Sequence, residues 1–479
     1  MTQDPRSKKL AFISLGAMLV LVAGSAWFYK EKALFTDTAY VLFNIINNGQ
    51  LAIQFNRYGA LIAQGVPYLG QMLHMPLKTM LIMYAAWPYL CYSIVAGVLI
   101  LRYRQYNLAI LMALFYVLFV SQSFYWGSEI PQGMAFLFLM MGTALHMGNR
   151  NVGLWKIAVP FVFCGVVAMF THFTIMVAGV YLWVYLLLDK GSWPFTRQRT
   201  ILLSILLLAC IASKFVYSLV IAKGTGDGPF LKNVFTCSIR DIYHMFSTPV
   251  VRTFLYRCIT VYWVGTIVFL SGMIRLFQRR KYILATWTML SVLGYMCVVS
   301  LTFTEWGETA SVFHIESEWL CMSVLLITPF AFDFLRAAKG GYLLLLLPLI
   351  FIARFVYIYQ AVAPFETHLQ MQARALGSMK QKGIRKVAIV WTATFSKPYV
   401  ADWAAQYETM LSSALDGDSP QYNYCVVREE DTLRIKALKP AAFAMAFTTP
   451  APLQLNRQYF RMDTVQDWKV MTYEELTEK

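Results

Sequence analysis

Long apolar runs dominate the pattern of this chain. They lie near 10–29, 79–101, 107–126, 131–147, 155–171, 173–188, 200–222, 253–274, 283–303, 319–335 and 341–362. Each approaches the roughly 20 residues that a helix needs to cross a bilayer, so the pattern predicts about 11 transmembrane helices. His172 alone separates the fifth and sixth runs. Lys8 and Lys9 precede the first run, which reads as an uncleaved anchor because it is long and Lys30–Phe35 continues as chain. Helical spacing returns in the first connection, residues 30–78. There Tyr40–Ile46 and Tyr58–Leu73 each carry apolar residues at helical spacing, with Asn47-Asn48-Gly49 as a break. Both are predicted to be amphipathic helices in the interface plane. After about residue 363 the pattern shortens. Val387–Trp391 and Tyr422–Val427 read as strands. Ser396–Leu415 reads as a helix, with Tyr399, Trp403, Tyr407 and Leu411 on one face, and Asp416-Gly417-Asp418-Ser419-Pro420 as a turn. The expected fold is an α-helical polytopic membrane domain, residues 1–362, followed by a small α/β extracytoplasmic domain, residues 363–479.

Composition removes whole classes of function. Of 479 residues, 58% are hydrophobic and 14% charged, against roughly 25% charged in a soluble domain; a soluble globular enzyme is excluded. Aromatics at 16% suit rings placed at membrane interfaces. The net charge of +16 would suggest nucleic acid in a soluble chain, but its placement argues otherwise. Residues 363–479 hold 14 basic and 13 acidic residues, so the excess lies among the spans and no nucleic-acid partner is expected. With the N-terminus in the cytoplasm, the inner connections collect 16 basic residues between Arg6 and Lys339, against Asp4, Asp189 and Asp333. That bias fits the positive-inside rule. An odd number of spans in an inner (plasma) membrane then places residues 363–479 on the periplasmic or other extracytoplasmic side. The eight cysteines form no C-x-x-C pair and read mostly as buried hydrophobes.

The same sidedness gathers the chemistry at the outer face. Asp37 closely follows the first span. A carboxylate at that depth is costly to ionise and acquires the raised pKa of a general base, unless it simply starts the next helix. Glu129 precedes Pro131 between two spans that meet outside. It is placed to orient a substrate or, with Asp37, to hold a divalent metal such as Mg or Mn; capping by Ser128 is the structural alternative. His172, inside an apolar run, needs a partner or a function. The densest cluster is Glu305, Glu308, His314, Glu316 and Glu318, a candidate wall of a site or a solvated loop. Arg252, Arg257 and Arg354 near span ends, with Arg57 and Arg240 in loops, are candidates to bind the phosphate of a lipid carrier by bidentate hydrogen bonds, or to snorkel to headgroups. No G-x-x-x-x-G-K-[ST], G-x-S-x-G or H-E-x-x-H motif occurs, so ATP-driven, nucleophile-elbow and zincin chemistry have no sequence support.

The plan resembles the GT-C class of integral-membrane glycosyltransferases. The resemblance is carried by Phe-Thr-Asp-Thr-Ala-Tyr around Asp37, by Ser128-Glu129 opening a span, by Thr-His-Phe-Thr around His172, and by Glu316–Leu320, where family members often have an Arg-Tyr pair. It covers the membrane portion as a pattern of positions. Many members carry Asp-Glu in the first loop, whereas Thr38 follows Asp37 here, and Trp319 replaces the usual late Arg. The resemblance implies transfer of a sugar from a polyprenyl-phosphate carrier to a glycan, lipid or protein acceptor, with inversion, and with Asp37 as base. Arg257 or Arg354 would meet the lipid phosphate, and Glu129, His172, His314, Glu316 and Glu318 would contribute substrate contacts. Membrane lipid and the lipid-linked donor are the implied partners.

Three other functions fit a polytopic chain. A transporter or flippase for lipid-linked saccharides also needs intramembrane polar groups, but such proteins usually show paired repeats, and none is seen. An O-antigen-type polymerase or ligase has a large late outer loop, whereas here the first loop is the long one. A membrane acyltransferase using His172 lacks a second polar partner.

Overall fold

The structure, a computed structural model, describes residues 5–54, 57–148, 152–189, 193–221, 232–234, 236–303, 312–337, 341–392, 402–432, 435, 439–443, 451–452 and 454–478. Among these, eight helices are long and apolar enough to cross a membrane. They are Pro5–Trp27, Leu77–Arg102, Ile130–Gly148, Leu154–Thr171, Arg197–Ile221, Tyr282–Thr302, Val312–Phe334 and Leu343–Lys382. A ninth is reached if Pro249–Thr260 and Trp263–Gln278, bent by 88°, form one span.

The expected count of 11 is therefore not met, although every run contains a helix. Tyr106–Leu118 and Thr174–Leu188 are apolar helices of 13 and 15 residues. At 1.5 Å per residue they rise about 20–23 Å, short of a hydrocarbon core roughly 30 Å thick. Their hydrophobicity serves the protein interior instead: of Tyr106–Leu118, all but Asn107 is buried.

Burial separates the centre from the lipid-facing ring. The apolar window of Val312–Phe334 is 100% buried, against 22% for Arg197–Ile221. The latter leaves Ile201, Ile205 and Leu208 exposed, as a helix facing lipid should. At the far end of Val312–Phe334 from its polar first turns, Lys281 Nζ pairs with Asp333 and lies 2.9 Å from Asp189 Oδ1. Tyr185 donates to Asp333 at 2.6 Å, and Arg336 reaches Asp189 at 3.4 Å.

The first connection folds as Thr36–Asn48 and Leu61–Met72. Gly49 stops the former helix: at φ +62° its N–H bonds the Ile45 carbonyl at 3.0 Å, a left-handed turn that glycine adopts without strain. Only the second helix suits an interface, exposing Leu61, Leu69 and Met72. Thr36–Asn48 does not lie on lipid as expected. Leu42, Phe43 and Ile46 are buried in one cluster with Tyr407, Met410, Leu411, Phe443 and Phe460 of the C-terminal region. The apolar stripe that looked like a lipid-binding face is roofed by protein.

The C-terminal region begins as a continuation of the last span. Leu343–Gln360 runs through a short turn into Ala363–Lys382, whose Ala375, Leu376 and Met379 pack on a three-stranded sheet. That sheet is made of β1 (Lys386–Val390), β2 (Asn423–Val427) and β5 (Lys469–Thr472), while β3 (Ala442–Phe443) and β4 (Ala451–Pro452) pair separately as a two-residue antiparallel ladder. The sheet is parallel, in the order β2-β1-β5, with Lys386 opposite Asn423 and Val387 opposite Lys469. The described helix between β1 and β2 is Ala405–Leu415; Ser396 and Tyr399 lie outside the described residues.

Candidate functional site

A cavity of about 600 Å³ lies between the first connection and the spans, within the size range of small-molecule sites. Lys32, Asp37, Arg57, Glu129, His172, His314, Ser317 and Glu318 are all in its wall. Each is delivered by a break or an end of an element. Asp37 is in the first turn of Thr36–Asn48. Glu129 immediately precedes Ile130–Gly148 and gives that helix its first carbonyl, accepting from Gln132 and Gly133 at 2.9 and 3.1 Å. His172 is the extended residue between Leu154–Thr171 and Thr174–Leu188. His314, Ser317 and Glu318 share one face of Val312–Phe334, since residues three and four apart line up on a helix.

Close approaches lock these pieces. A Cβ on Gly59 would sit 1.7 Å from Thr171 Oγ1. Only glycine lets the turn after Arg57 seat on the end of Leu154–Thr171, and Arg57 Nη1 then reaches Glu129 Oε2 at 3.4 Å. Gly127 plays the same part opposite Asp37. Its N–H donates to Thr38 Oγ1 at 3.2 Å, and an added Cβ would come within 2.8 Å of that oxygen. Ala63 N–H donates to Gln132 at 3.1 Å, tying Leu61–Met72 to the same wall. His172 Nδ1 lies 2.7 Å from Thr174 Oγ1, and the His314 ring packs edge-on against Trp126 with centroids 5.0 Å apart.

The electrostatics of Asp37 suit a base. Burial raises its pKa to about 6, and the neighbouring Glu129 charge adds to the rise. The Trp126 indole and the Arg57 guanidinium pull it partly back. Lys32 is the opposite case. It is 7% exposed, and burial lowers its ammonium to about 7. Its Nζ donates to the Phe124 carbonyl and sits over the Tyr89 and Phe124 rings at 4.9 and 4.1 Å. No ion pair to Lys32 forms among the described residues. A buried cation held by a carbonyl and two aromatic faces in a cavity wall has strong reason to attract an anion.

Arg257, Glu316 and Arg354 line a different place. Glu316 is 1% exposed and accepts from Ser121 N–H (3.0 Å), Ser123 N–H (2.8 Å), Arg257 Nη2 (2.7 Å), Tyr262 O–H (2.6 Å) and Ser121 O–H. Arg354 is wholly buried and donates to the Val117, Val120 and Val261 carbonyls. These are backbone groups freed where Tyr106–Leu118 ends and where Pro249–Thr260 breaks. Unpaired, each would cost dearly in an apolar surround, so the two charges substitute for missing helical bonds. Neither Arg257 nor Arg354 is in the wall of the Asp37 cavity.

The sequence reading missed Lys32, because Tyr29-Lys30-Glu31-Lys32 looks like an ordinary solvated charge run. It also grouped Glu316 with His314 and Glu318. Helical spacing separates them, placing residues 314, 317 and 318 together and turning 316 aside. Glu305 and Glu308 lie outside the described residues. For a divalent metal, no three His, Cys, Asp or Glu side chains converge among the described residues. Near Glu129 the cationic position is already taken by Arg57, so Asp37 and Glu129 do not make a good hard-cation cage. Compared with family models, curated proteins and solved structures, the chain matches none.

Proposed function

We propose that the protein is an integral-membrane glycosyltransferase. It would move a sugar from a polyprenyl-phosphate carrier to a hydroxyl-bearing acceptor at the extracytoplasmic face, with inversion. The observation that carries the reading is the pairing, in one 600 Å³ cavity, of a carboxylate whose pKa is about 6 with a buried lysine whose pKa is about 7. Acid–base work at neutral pH calls for the first, and an anionic leaving group for the second.

In this reading Asp37 accepts the proton of the acceptor hydroxyl as its oxygen attacks the anomeric carbon. The bond from that carbon to the phosphate oxygen breaks, and the carrier phosphate leaves with the electron pair. Lys32 and Arg57 balance its charge, while Glu129 holds Arg57. His172, His314 and Glu318 line the remaining wall as contacts for sugar and acceptor hydroxyls. This assigns the phosphate to Lys32 and Arg57 rather than to Arg257 and Arg354, whose donors are occupied by Glu316 and by backbone carbonyls.

The test is transfer from a polyprenyl-phosphate sugar in proteoliposomes. Asp37→Asn should cut the rate by about 10²–10⁴-fold, the usual value of a general base, while the protein stays folded. Equal transfer by wild type and variant would remove Asp37 as base. Uptake of lipid-linked saccharide without transfer would replace the enzyme reading by the carrier one.

A further inference from the structure

The residue just before Asp37 is held from the far end of the chain. Thr36 N–H donates to Glu408 Oε1 at 2.7 Å, across 372 positions of sequence. Glu408 lies on Ala405–Leu415 in the C-terminal region and is fully buried. Its other oxygen is 2.8 Å from His368 Nε2, on the helix that prolongs the last span. His368 is 6% exposed, and its ring meets Phe35 edge-on at 5.5 Å. The Glu408–His368 pair therefore grips both residues that precede Asp37.

What it grips is an unusual turn. Thr36 has φ +41°, a left-handed backbone that β-branched side chains rarely adopt. Such a conformation persists only where the surroundings over-determine it. Here they do so from two sides. Glu408 binds the Thr36 N–H, and Thr38 is fixed by the Gly127 N–H at 3.2 Å. Asp37 lies between these clamps and is aimed into the cavity. Neither Glu408 nor His368 is in the cavity wall, so the pair acts on Asp37 through the backbone.

We propose that Glu408, oriented by His368, is a positioning residue for Asp37, so that the C-terminal region completes the site instead of merely covering it. This rests on the glycosyltransferase reading for its rate consequence but not for its geometry. The turn, once released, lets Asp37 rotate out of the wall and toward water.

The experiment uses the full-length protein in detergent or proteoliposomes with Glu408→Ala and Glu408→Gln. Glutamine keeps an acceptor for the Thr36 N–H; alanine does not. Two quantities are read. One is sugar transfer per folded molecule. The other is the pH midpoint at which Asp37 reacts with a water-soluble carbodiimide, followed by peptide mass spectrometry. Glu408→Ala should lower kcat by about tenfold to a hundredfold, the scale of a small misplacement, with KM for the donor little changed. The Asp37 midpoint should fall toward the ordinary carboxylate range, and Glu408→Gln should restore both. If Glu408→Ala does not fold, Glu408→Asp, which retracts the acceptor, should give the same pair of changes. A folded Glu408→Ala or Glu408→Asp with the wild-type midpoint and wild-type turnover overturns the proposal. Absence of transfer in every protein, wild type included, sinks the enzyme reading alone, and the midpoint then decides on Glu408 by itself.

Discussion

A buried carboxylate and a half-buried one meet the same stretch of broken backbone, Glu316 through Ser121 and Ser123 and Asp37 through Trp126, and have opposite fates. Glu316 is saturated: three hydroxyl or guanidinium donors and two backbone N–H groups occupy its oxygens. Asp37 faces open volume, with a second carboxylate nearby and a pKa of about 6. The first has no bonding capacity left for a ligand, and the second is destabilised when charged and has proton affinity to offer. Ser123 joins the two regions, lining the cavity with its side chain while its N–H rests on Glu316. The saturated group thus builds a wall for the one that faces the cavity. Burial of a charge by itself says nothing about function; what matters is whether its partners are all supplied by the fold.

The comparison can be broken most easily at the saturated end. Removing one partner from a buried ion pair costs about 3–5 kcal/mol. Glu316→Ala and Arg257→Ala should therefore show poor folding in detergent melting experiments, with transfer per folded molecule nearly preserved. A well-folded Arg257→Ala that has lost donor binding would return Arg257 to the site and erase the distinction.

A smaller effect sharpens it. In the proposed reaction Asp37 must be ionised to take a proton, so kcat/KM should fall about tenfold per unit as pH drops below about 6. Lys32 must be charged to hold phosphate, so kcat/KM should also decline above about 7. A narrow bell between these limits is expected in a proteoliposome assay. A profile flat from pH 5 to 9 (a span chosen to bracket both groups by roughly a unit or more) would mean neither group titrates in the rate.

The smallest effect concerns Lys32. Lys32→Met removes a buried cation with no acidic partner among the described residues, so the apo protein should melt slightly higher while donor binding weakens. The linkage has a definite sign. Between about 7 and the ordinary 10.5 the unfolded chain holds a proton that the folded one has released, so wild-type stability should climb with pH there. Lys32→Met should flatten that slope.

Most of the membrane architecture was legible because lipid imposes a length and a polarity on every span. The short helices were not, since Tyr106–Leu118 is as apolar as any span and differs in stopping after 13 residues, where its apolar run continues as broken backbone covered by protein. Thr36–Asn48 misled for the same reason: an apolar stripe does not say whether lipid or Tyr407 and Phe443 will cover it. Asp37, Glu129, His172, His314 and Glu318 were grouped by their common depth at one end of the apolar runs, and all line one cavity. Arg257 and Arg354 shared that depth and were indistinguishable from phosphate ligands, because what fixes their role is the path of a distant broken backbone. Lys32 and Glu408 left no local signal, as each depends on a contact more than 90 positions away.

The last span begins at Leu343 and runs, through a short turn at 361–362, into Ala363–Lys382, 40 residues in all with no loose tether. A domain on a flexible linker would sweep a wide volume and fetch its cargo. This one is joined to the last span by continuous helix and a short turn, like a crane cab on a mast. In the proposed transfer, an acceptor would have to be presented at the distance from the span that this mast sets, so reach as well as recognition would sort one recipient from another.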